Sequence, residues 1–469
     1  MELSKEFISK MQSLLGASAE DFFLSLNNPS TKAITVNYSR ISGKDFKELA
    51  DFDHEKIYAT DNGFYTEGLK FNEHILSHLG VIYSQEPSAM FPVEMMGIQK
   101  GDYILDVCSA PGGKSIQILE KLNGTGMLVS NEIVYNRAKI LYENLTRIGF
   151  DNFAITCNSP EDYEKTNLKF DKILVDAPCG GEGMIRKNGF DPDALKSSNI
   201  ETNAKRQLSI LNSIKNLLKR GGTLVYSTCT YDIRENEEVI VKFLKENPNF
   251  HLVKPDKKFD EVTVDGVTLD NFPTNYTKRR YPHLFKGEGQ FMAILKKDGD
   301  ENMPYPLLTM DSIQPISRKD YNDIAKELKN IIDLNGRTMQ QIGLTAKIDS
   351  VADLSKLNLF KRGDTIYAVP DLYIDLSGLN VLTVGTILGT LNKGVLKIHH
   401  NFYHTYPMRF TNQVDLNEEQ VKKYLHGEEV DIDENLKGIV AVTYRGIGLG
   451  GGKCVNGRLK NYYPKELRV

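Results

Sequence analysis

Between about Ser88 and Leu295, short continuous apolar runs alternate with stretches whose apolar residues recur at helical spacing. The runs predict buried strands at Tyr103–Cys108, Met127–Glu132, Asn152–Cys157, Asp171–Asp176 and Gly222–Cys229. Ala138, Leu141, Leu145 and Ile148 share one helical face, which Gly149 ends. Leu208, Leu211, Ile214 and Leu218 share another, closed by Lys219-Arg220-Gly221-Gly222. Cations followed by glycine are the expected helix stop. Strand and helix taken in turn predict an α/β fold with a parallel, doubly wound sheet.

The flanks read differently. From Leu3 to about Ser88 the pattern is mostly helical and then irregular, with Leu14, Phe22, Phe23 and Leu26 on one stripe before "NNPS" breaks it. The polar segment Lys296–Pro304 predicts a linker. Residues 305–469 form a second region, with β-like runs "TIYAVP" and "GIVAVTY" and a glycine-rich turn region at Gly446–Lys453. No internal repeat or low-complexity segment interrupts either part.

Composition narrows this picture. No apolar stretch has the length of a membrane span, and the mixed-charge amphipathic start is not a secretory signal; a cytoplasmic protein is expected. The five cysteines, Cys108, Cys157, Cys179, Cys229 and Cys454, form no C-x-x-C pair. Reduced thiols are expected, and no metal. His400 and His404 have metal-like spacing only in a helix, and Phe402, Tyr403 and Tyr406 beside them point to a strand or to core packing. The net charge of -4 does not suggest nucleic acid. Local patches decide binding, however. From Lys437 onward the chain carries Lys437, Arg445, Lys453, Arg458, Lys460, Lys465 and Arg468 against Glu466. Read alone, that run is a solvated basic tail.

Candidate chemistry sits at the strand ends. "LDVCSAPGGKS" (Leu105–Ser115) is a strand, a glycine loop and a helix start, the arrangement that brings backbone N–H groups close to a ligand. Gly113-Lys114-Ser115 matches the end of a triphosphate loop, but Cys108 stands where that motif needs its first glycine. Glu132, at the end of the second strand, can hold two ribose hydroxyls, which fits S-adenosylmethionine. Asp176 and Cys229 end the fourth and fifth strands, so "DAPCGG" and "STCTY" share one crevice if those strands are neighbours. Two thiols and an acid beside a methyl donor suit methylation at pyrimidine C5. A thiolate adds to C6, C5 then attacks the methyl, a base removes the C5 proton and the thiol is expelled. Cys179 and Cys229 are both candidates for the attack. Cys108, Cys157 and Cys454 read as small buried residues.

"CSAPGGK" (Cys108–Lys114), "NEIVYNRAK" (Asn131–Lys139), "DAPCGGEGMIRK" (Asp176–Lys187) and "YSTCTYDIRENEEVI" (Tyr226–Ile240) resemble the NOL/NOP/Sun family of RNA cytosine-C5 methyltransferases. "YSQEPSAM" (Tyr83–Met90) and "YPHLFKGEGQFMAIL" (Tyr281–Leu295) extend the resemblance. Both ends, "SLLGASAEDFFLSLNNP" and "GLGGGKCVNGRLKNYYPKEL", resemble the bacterial RsmF branch, which modifies small-subunit ribosomal RNA.

The resemblance implies a Rossmann-like class I methyltransferase core at 89–298. It implies an RNA-binding extension at 1–88, a linking region at 299–385 and a PUA-like α+β RNA-binding domain at 386–469. It implies Cys229 as nucleophile, Cys179 in product release, and Asp176 and Lys114 near the target base. Cys108, Ser109, Ala110, Pro111, Gly112, Gly113, Lys114, Glu132, Arg137 and Asp176 would line the S-adenosylmethionine site. The implied partner is 16S ribosomal RNA, and the basic tail becomes a phosphate-contacting surface. Transfer RNA as substrate and a non-catalytic ribosome-assembly factor are the alternatives. Gly180 replaces a serine common in this family, and the chain has no tryptophan.

Overall fold

The computed structural model describes residues 3–187, 197–269, 271–301, 304–329, 331–332, 358–433 and 435–469. Helices Lys5–Leu15 and Ala19–Ser25 open the chain, with Ser4 capping the first through the Phe7 N–H. The expected single stripe is therefore split. Leu14 lies on the first helix, while Phe22 and Phe23 lie on the second and Leu26 at its end. All four join a cluster with Phe7 and Met11 that docks on Ile185, Tyr231 and Tyr281.

The irregular stretch expected next is instead a four-stranded antiparallel sheet. Its strands are β1 (Ala33–Val36), β2 (Asp53–Lys56), β3 (Gly63–Glu67) and β4 (Ile82–Ser84), in the order β2-β3-β1-β4. These strands are short, and edge strand β2 is all polar, so no apolar alternation marks them.

The central sheet is built as the sequence predicts. It contains β5 (Tyr103–Asp106), β6 (Met127–Asn131), β7 (Phe153–Thr156), β8 (Phe170–Asp176) and β9 (Leu218–Thr228), then β10 (Phe250–Val253), β11 (Val264–Asp265), β12 (Lys278–Arg280) and β13 (Gln290–Lys297). The order β13-β9-β8-β5-β6-β7 is parallel from β9 to β7. β13 runs antiparallel to β9. Chain order reverses between β5 and β8, the switch point at whose strand ends open α/β sheets place their ligands. One expectation fails here. The helix Ser197–Ile214 ends before Leu218, and Lys219–Gly222 lies inside β9. Pairing with β8 jumps from Phe170↔Leu218 to Lys172↔Thr223, so the glycines make a bulge rather than a helix stop.

Four more strands follow, β14 (Gln314–Pro315), β15 (Asn358–Arg362), β16 (Thr365–Val369) and β17 (Val381–Val384). Then come β18 (Thr386–Asn392) and β19 (Val395–Ile398). β17 adds to the central sheet beside β7. The others form a five-stranded sheet, β14-β15-β16-β18-β19. This sheet takes strands from both sides of the division expected at 385/386, which the β16–β18 ladder crosses; residues 333–357 lie outside the described residues. The last sheet, β20 (Gln413–Asp415), β21 (Val430–Asp431), β22 (Gly438–Tyr444), β23 (Ile447–Val455) and β24 (Arg458–Asn461), has the order β20-β22-β23-β24-β21.

The glycine-rich stretch expected as a turn is therefore mostly strand β23. A Cβ on Gly451 would lie 2.6 Å from the Tyr403 ring, and one on Gly450 2.5 Å from the Tyr424 hydroxyl. The glycines make room for buried aromatics. His400 and His404 lie on a helix, His400–Thr405, not a strand. His404 is buried in packing, with Nδ1 3.1 Å from the Gly448 carbonyl and Nε2 2.7 Å from that of Arg147. No described helix is long and apolar enough to cross a membrane.

Candidate active site

β5 delivers the chain to the glycine loop at Asp106, and the helix Gly113–Leu122 leads away from it. Gly112 caps that helix at φ 118°, a backbone region that side chains disfavour. The loop lies among acids. Asp106 is buried, its Oδ2 accepting from Ser115 Oγ at 2.6 Å while Oδ1 has no partner. Burial pushes its carboxyl up to about 7. Ser109 spends both its donors internally, the N–H on Asn131 O and the hydroxyl on Asp106 O.

Glu132, just past β6, is buried and accepts from the Val134 N–H at 2.9 Å. Arg137 is a strut, 3.3 Å from Glu132 and donating 2.9 Å to the Ala110 carbonyl. Beside them Ile133, Val134 and Tyr135 are 59%, 47% and 53% exposed, an apolar lip next to the acid. Cys108 is half-buried. Burial, then Asp106, Asp176 and Glu132, push its thiol above the ordinary range.

Asp176 ends β8 directly opposite Ser227 on β9. Lys114 Nζ bonds its Oδ2 at 2.8 Å, and Ser227 Oγ donates to its Oδ1 at 2.6 Å. Gln290 Nε2 approaches the same Oδ1 at 3.4 Å. Burial works against the charge on Lys114, but Asp176 raises its pKa overall.

Past these strand ends the two loops meet, and Cys179 Sγ lies 3.3 Å from Cys229 Sγ. The Cys179 thiol is pushed well above its ordinary value, first by its hydrogen bond with Cys229, then by burial. Cys179, Cys229, Asp176 and Lys114 thus fall at one place beside the glycine loop. Cys454 is buried, and Cys157 donates to the Ile133 carbonyl at 3.6 Å, outside this group.

Two further side chains join the site, Glu235 from within the motif Tyr226–Ile240 and Gln207 from the helix before β9. Glu235 is buried and accepts from the Gly180 N–H at 3.1 and 3.2 Å. Gln207 clamps it, donating to Glu235 Oε2 at 2.8 Å and to the Pro178 carbonyl at 3.0 Å. Burial raises the Glu235 carboxyl to about 7. In this loop Gly181, at φ 69°, is the residue with positive φ, and Gly180 contributes its N–H. A Cβ on Gly183 would fall 2.7 Å from Gly289 Cα, so the cysteine loop packs directly on the backbone before β13. Asp106 could have been found, since it ends the run "YILD" at the glycine loop.

The basic C-terminus is partly paired, Arg445 with Glu48 at 2.7 Å and Arg458 near Asp431 at 3.7 Å. Lys453 and Lys460 are exposed and directly opposite on β23 and β24, with Tyr462 exposed just past β24.

Three family models match the chain in order. The N-terminal domain of 16S rRNA methyltransferase RsmF matches residues 3–87, 16S rRNA methyltransferase RsmB/F matches 93–296, and the methyltransferase RsmF PUA domain matches 411–469. The ribosomal RNA small subunit methyltransferase F of Shewanella oneidensis is 29% identical, covering 100% of this chain and 97% of its own. That of Vibrio parahaemolyticus is also 29% identical, covering 98% and 96%. A methyltransferase homolog protein from Pyrococcus horikoshii superimposes with a TM-score of 0.56 at 28% identity, over 63% of this chain and 95% of its own. NSun6 from Pyrococcus horikoshii, with SFG, shares the fold at a TM-score of 0.55 and 22% identity, over 64% and 99%. With its N-terminal, catalytic and PUA segments each matched in sequence order, the chain belongs to the RsmF family of 16S rRNA methyltransferases.

Proposed function

We propose that this enzyme transfers a methyl group from S-adenosylmethionine to C5 of a cytidine in 16S ribosomal RNA, through a covalent bond between Cys229 and C6. The observation that carries the reading is the thiol pair, 3.3 Å apart and next to the Asp176–Lys114 pair at the cofactor loop. The acidic loop, with the unpartnered Asp106 oxygen and the apolar lip after Glu132, suits a cationic, phosphate-free adenosine cofactor. Glycines 112 and 113, Glu132 and Arg137 would hold it. When bound, it supplies an electrophilic methyl.

The protein does the rest. Asp176, fixed by Ser227 and Lys114, bonds the Watson–Crick edge of a base taken out of its stack. The Cys229 thiolate forms a bond to C6, and the electron pair displaced from the 5,6 double bond makes C5 nucleophilic, so that C5 takes up the methyl and then carries both the methyl and its proton. In the adduct Cys229 is a thioether and no longer a hydrogen-bonding or charged neighbour of Cys179. The largest cause holding Cys179 protonated is then gone, so its thiol gives up its proton to solvent more readily. The Cys179 thiolate takes the C5 proton, the double bond re-forms, and the C6–sulfur bond breaks to release Cys229.

The direct test is to map 5-methylcytidine in ribosomal and transfer RNA from cells with and without the gene, and to restore it with the purified enzyme. At least one 16S position should depend on the protein. Dependence confined to transfer RNA would overturn the substrate assignment.

The strand face carrying Lys453 and Lys460 is the proposed phosphate contact. Replacing both by glutamate should weaken 16S RNA binding and lower its salt slope by about two, with the melting temperature kept because both side chains are exposed. Filter binding across a salt series checks this; an unchanged slope places the RNA elsewhere.

A further inference from the structure

The two cysteine loops are tied to each other by carboxylates that cross between them. Glu182 follows Cys179, yet its Oε2 accepts from Thr230 Oγ1 at 3.0 Å and the Tyr231 N–H at 3.1 Å, both just after Cys229. Glu235 does the reverse, reaching from beyond Cys229 to the Gly180 N–H. A side chain from the other end of the protein completes the arrangement. Lys10, on the helix Lys5–Leu15, bonds Glu182 Oε1 and lies 2.8 Å from Asp232 Oδ2. Glu182 is on one loop and Asp232 on the other. Their side chains are 0% and 2% exposed, against 22% for Lys10.

Apolar docking puts Lys10 there. Phe7 and Leu14 sit three and four residues from it on the same helix, Met11 is its chain neighbour, and all three pack in the cluster with Ile185, Tyr231 and Tyr281. The Phe22 ring meets Tyr231, two residues past Cys229, edge-on at 5.2 Å. Asp232 has a second cation in Arg234, at 2.8 Å, while Glu182 takes its bonds on the Cys229 loop from a hydroxyl and an amide. Without Lys10, two buried acids from facing loops would confront each other without the cation between them, and like charges in a desolvated place push apart.

We propose that Lys10 is a positioning residue of the two-thiol site: by joining Glu182 to Asp232, the N-terminal domain sets the separation of Cys179 and Cys229. The catalytic importance of that separation rests on the proposed function above; the separation itself can be tested without it. Catalytic loops held in register by a side chain from the N-terminal domain couple the docking of that domain to assembly of the site.

The test uses the full-length protein with Lys10→Met, Lys10→Gln and Lys10→Arg. Diamide, which oxidises two thiols to a disulfide while itself taking up two electrons and two protons, probes thiol proximity. Peptide mass spectrometry follows the Cys179–Cys229 disulfide, and thermal unfolding shows that each variant is folded. Lys10→Met and Lys10→Gln should form this disulfide roughly tenfold or more slowly, and Lys10→Arg at close to the wild-type rate. The methyl-transfer kcat should follow the same order, with S-adenosylmethionine affinity and RNA KM near wild type. A folded Lys10→Met protein that forms the disulfide at the wild-type rate overturns the proposal. If Lys10→Met does not fold, Lys10→Gln is judged by the same criterion. Slow disulfide formation in these variants, combined with no 5-methylcytidine made by the wild type, would leave the positioning role standing and remove the functional reading alone.

Discussion

Cys229→Ala should abolish methyl transfer while leaving cofactor binding intact. The loss expected is roughly 10⁴-fold or more in kcat, equivalent to about 5 kcal/mol of transition-state stabilisation. The size follows from what the residue does. Pyrimidine C5 gains nucleophilicity only once a group has added at C6, and no neighbouring side chain can replace the thiolate in this position. Cys179 lies 3.3 Å away, but its thiol is held protonated by the hydrogen bond with Cys229 and by burial. Removing Cys229 relieves the first of these without moving Cys179 onto its partner's side of the base. Cys229 lies on the β9 loop, apart from Gly112, Gly113, Glu132 and Arg137, so the S-adenosylmethionine dissociation constant should stay within about twofold of wild type. Tritium transfer to 16S RNA measures the first effect and calorimetry the second. Turnover by Cys229→Ala within tenfold of wild type would remove Cys229 from the nucleophile's role.

How far the sequence disclosed this site depends on which interactions are local. β5 to β9 were legible because strands of a covered parallel sheet are apolar without interruption. Their carboxyl ends, and so the placement of Asp176 and Cys229, came with them. β1 to β4 were hidden because they are short and one is wholly polar. β23 was hidden because glycines usually mark turns, whereas here they clear space for Tyr403 and Tyr424. Lys219–Gly222 carries a helix-stop signal that tertiary pairing overrides with a bulge.

The same division runs through the site. Cys108–Lys114, Asp176, Cys179 and Cys229 stand in compact motifs. Glu182 and Glu235 stand in the same motifs, but their partners on the facing loop, like those of Gln207 and Lys10, come only from contacts across the fold, Lys10 reaching an acid 172 residues away. Nothing next to Lys10 in the chain marks it. Gly180, which departs from the usual serine, is now placed by its N–H on Glu235; the absence of a hydroxyl there has no consequence visible in the structure.

Cys179→Ala separates attack from release. The variant keeps Cys229, Asp176 and Lys114, so adduct formation and methylation of C5 should proceed. Removal of the C5 proton should not, because the base 3.3 Å from Cys229 is missing. RNA should therefore accumulate on the protein as a covalent band on denaturing gels, dependent on S-adenosylmethionine and absent from the Cys179→Ala/Cys229→Ala double variant. Loss of a positioned base costs roughly 10²–10⁴-fold, so multiple turnover should fall by that factor while one equivalent of methyl per enzyme is still transferred. The proton bookkeeping gives a second measurement. The Cys229 hydrogen bond, the largest cause of the raised Cys179 pKa, also acts in the free enzyme. Cys229→Ala should therefore shift Cys179 alkylation by iodoacetamide to lower pH, because the thiolate is the reactive form. An alkylation profile that does not move, or moves upward, would mean that burial alone holds the proton, and adduct formation would not ready Cys179 as a base. A Cys179→Ala enzyme that turns over without a covalent band would place proton removal on another group at the site.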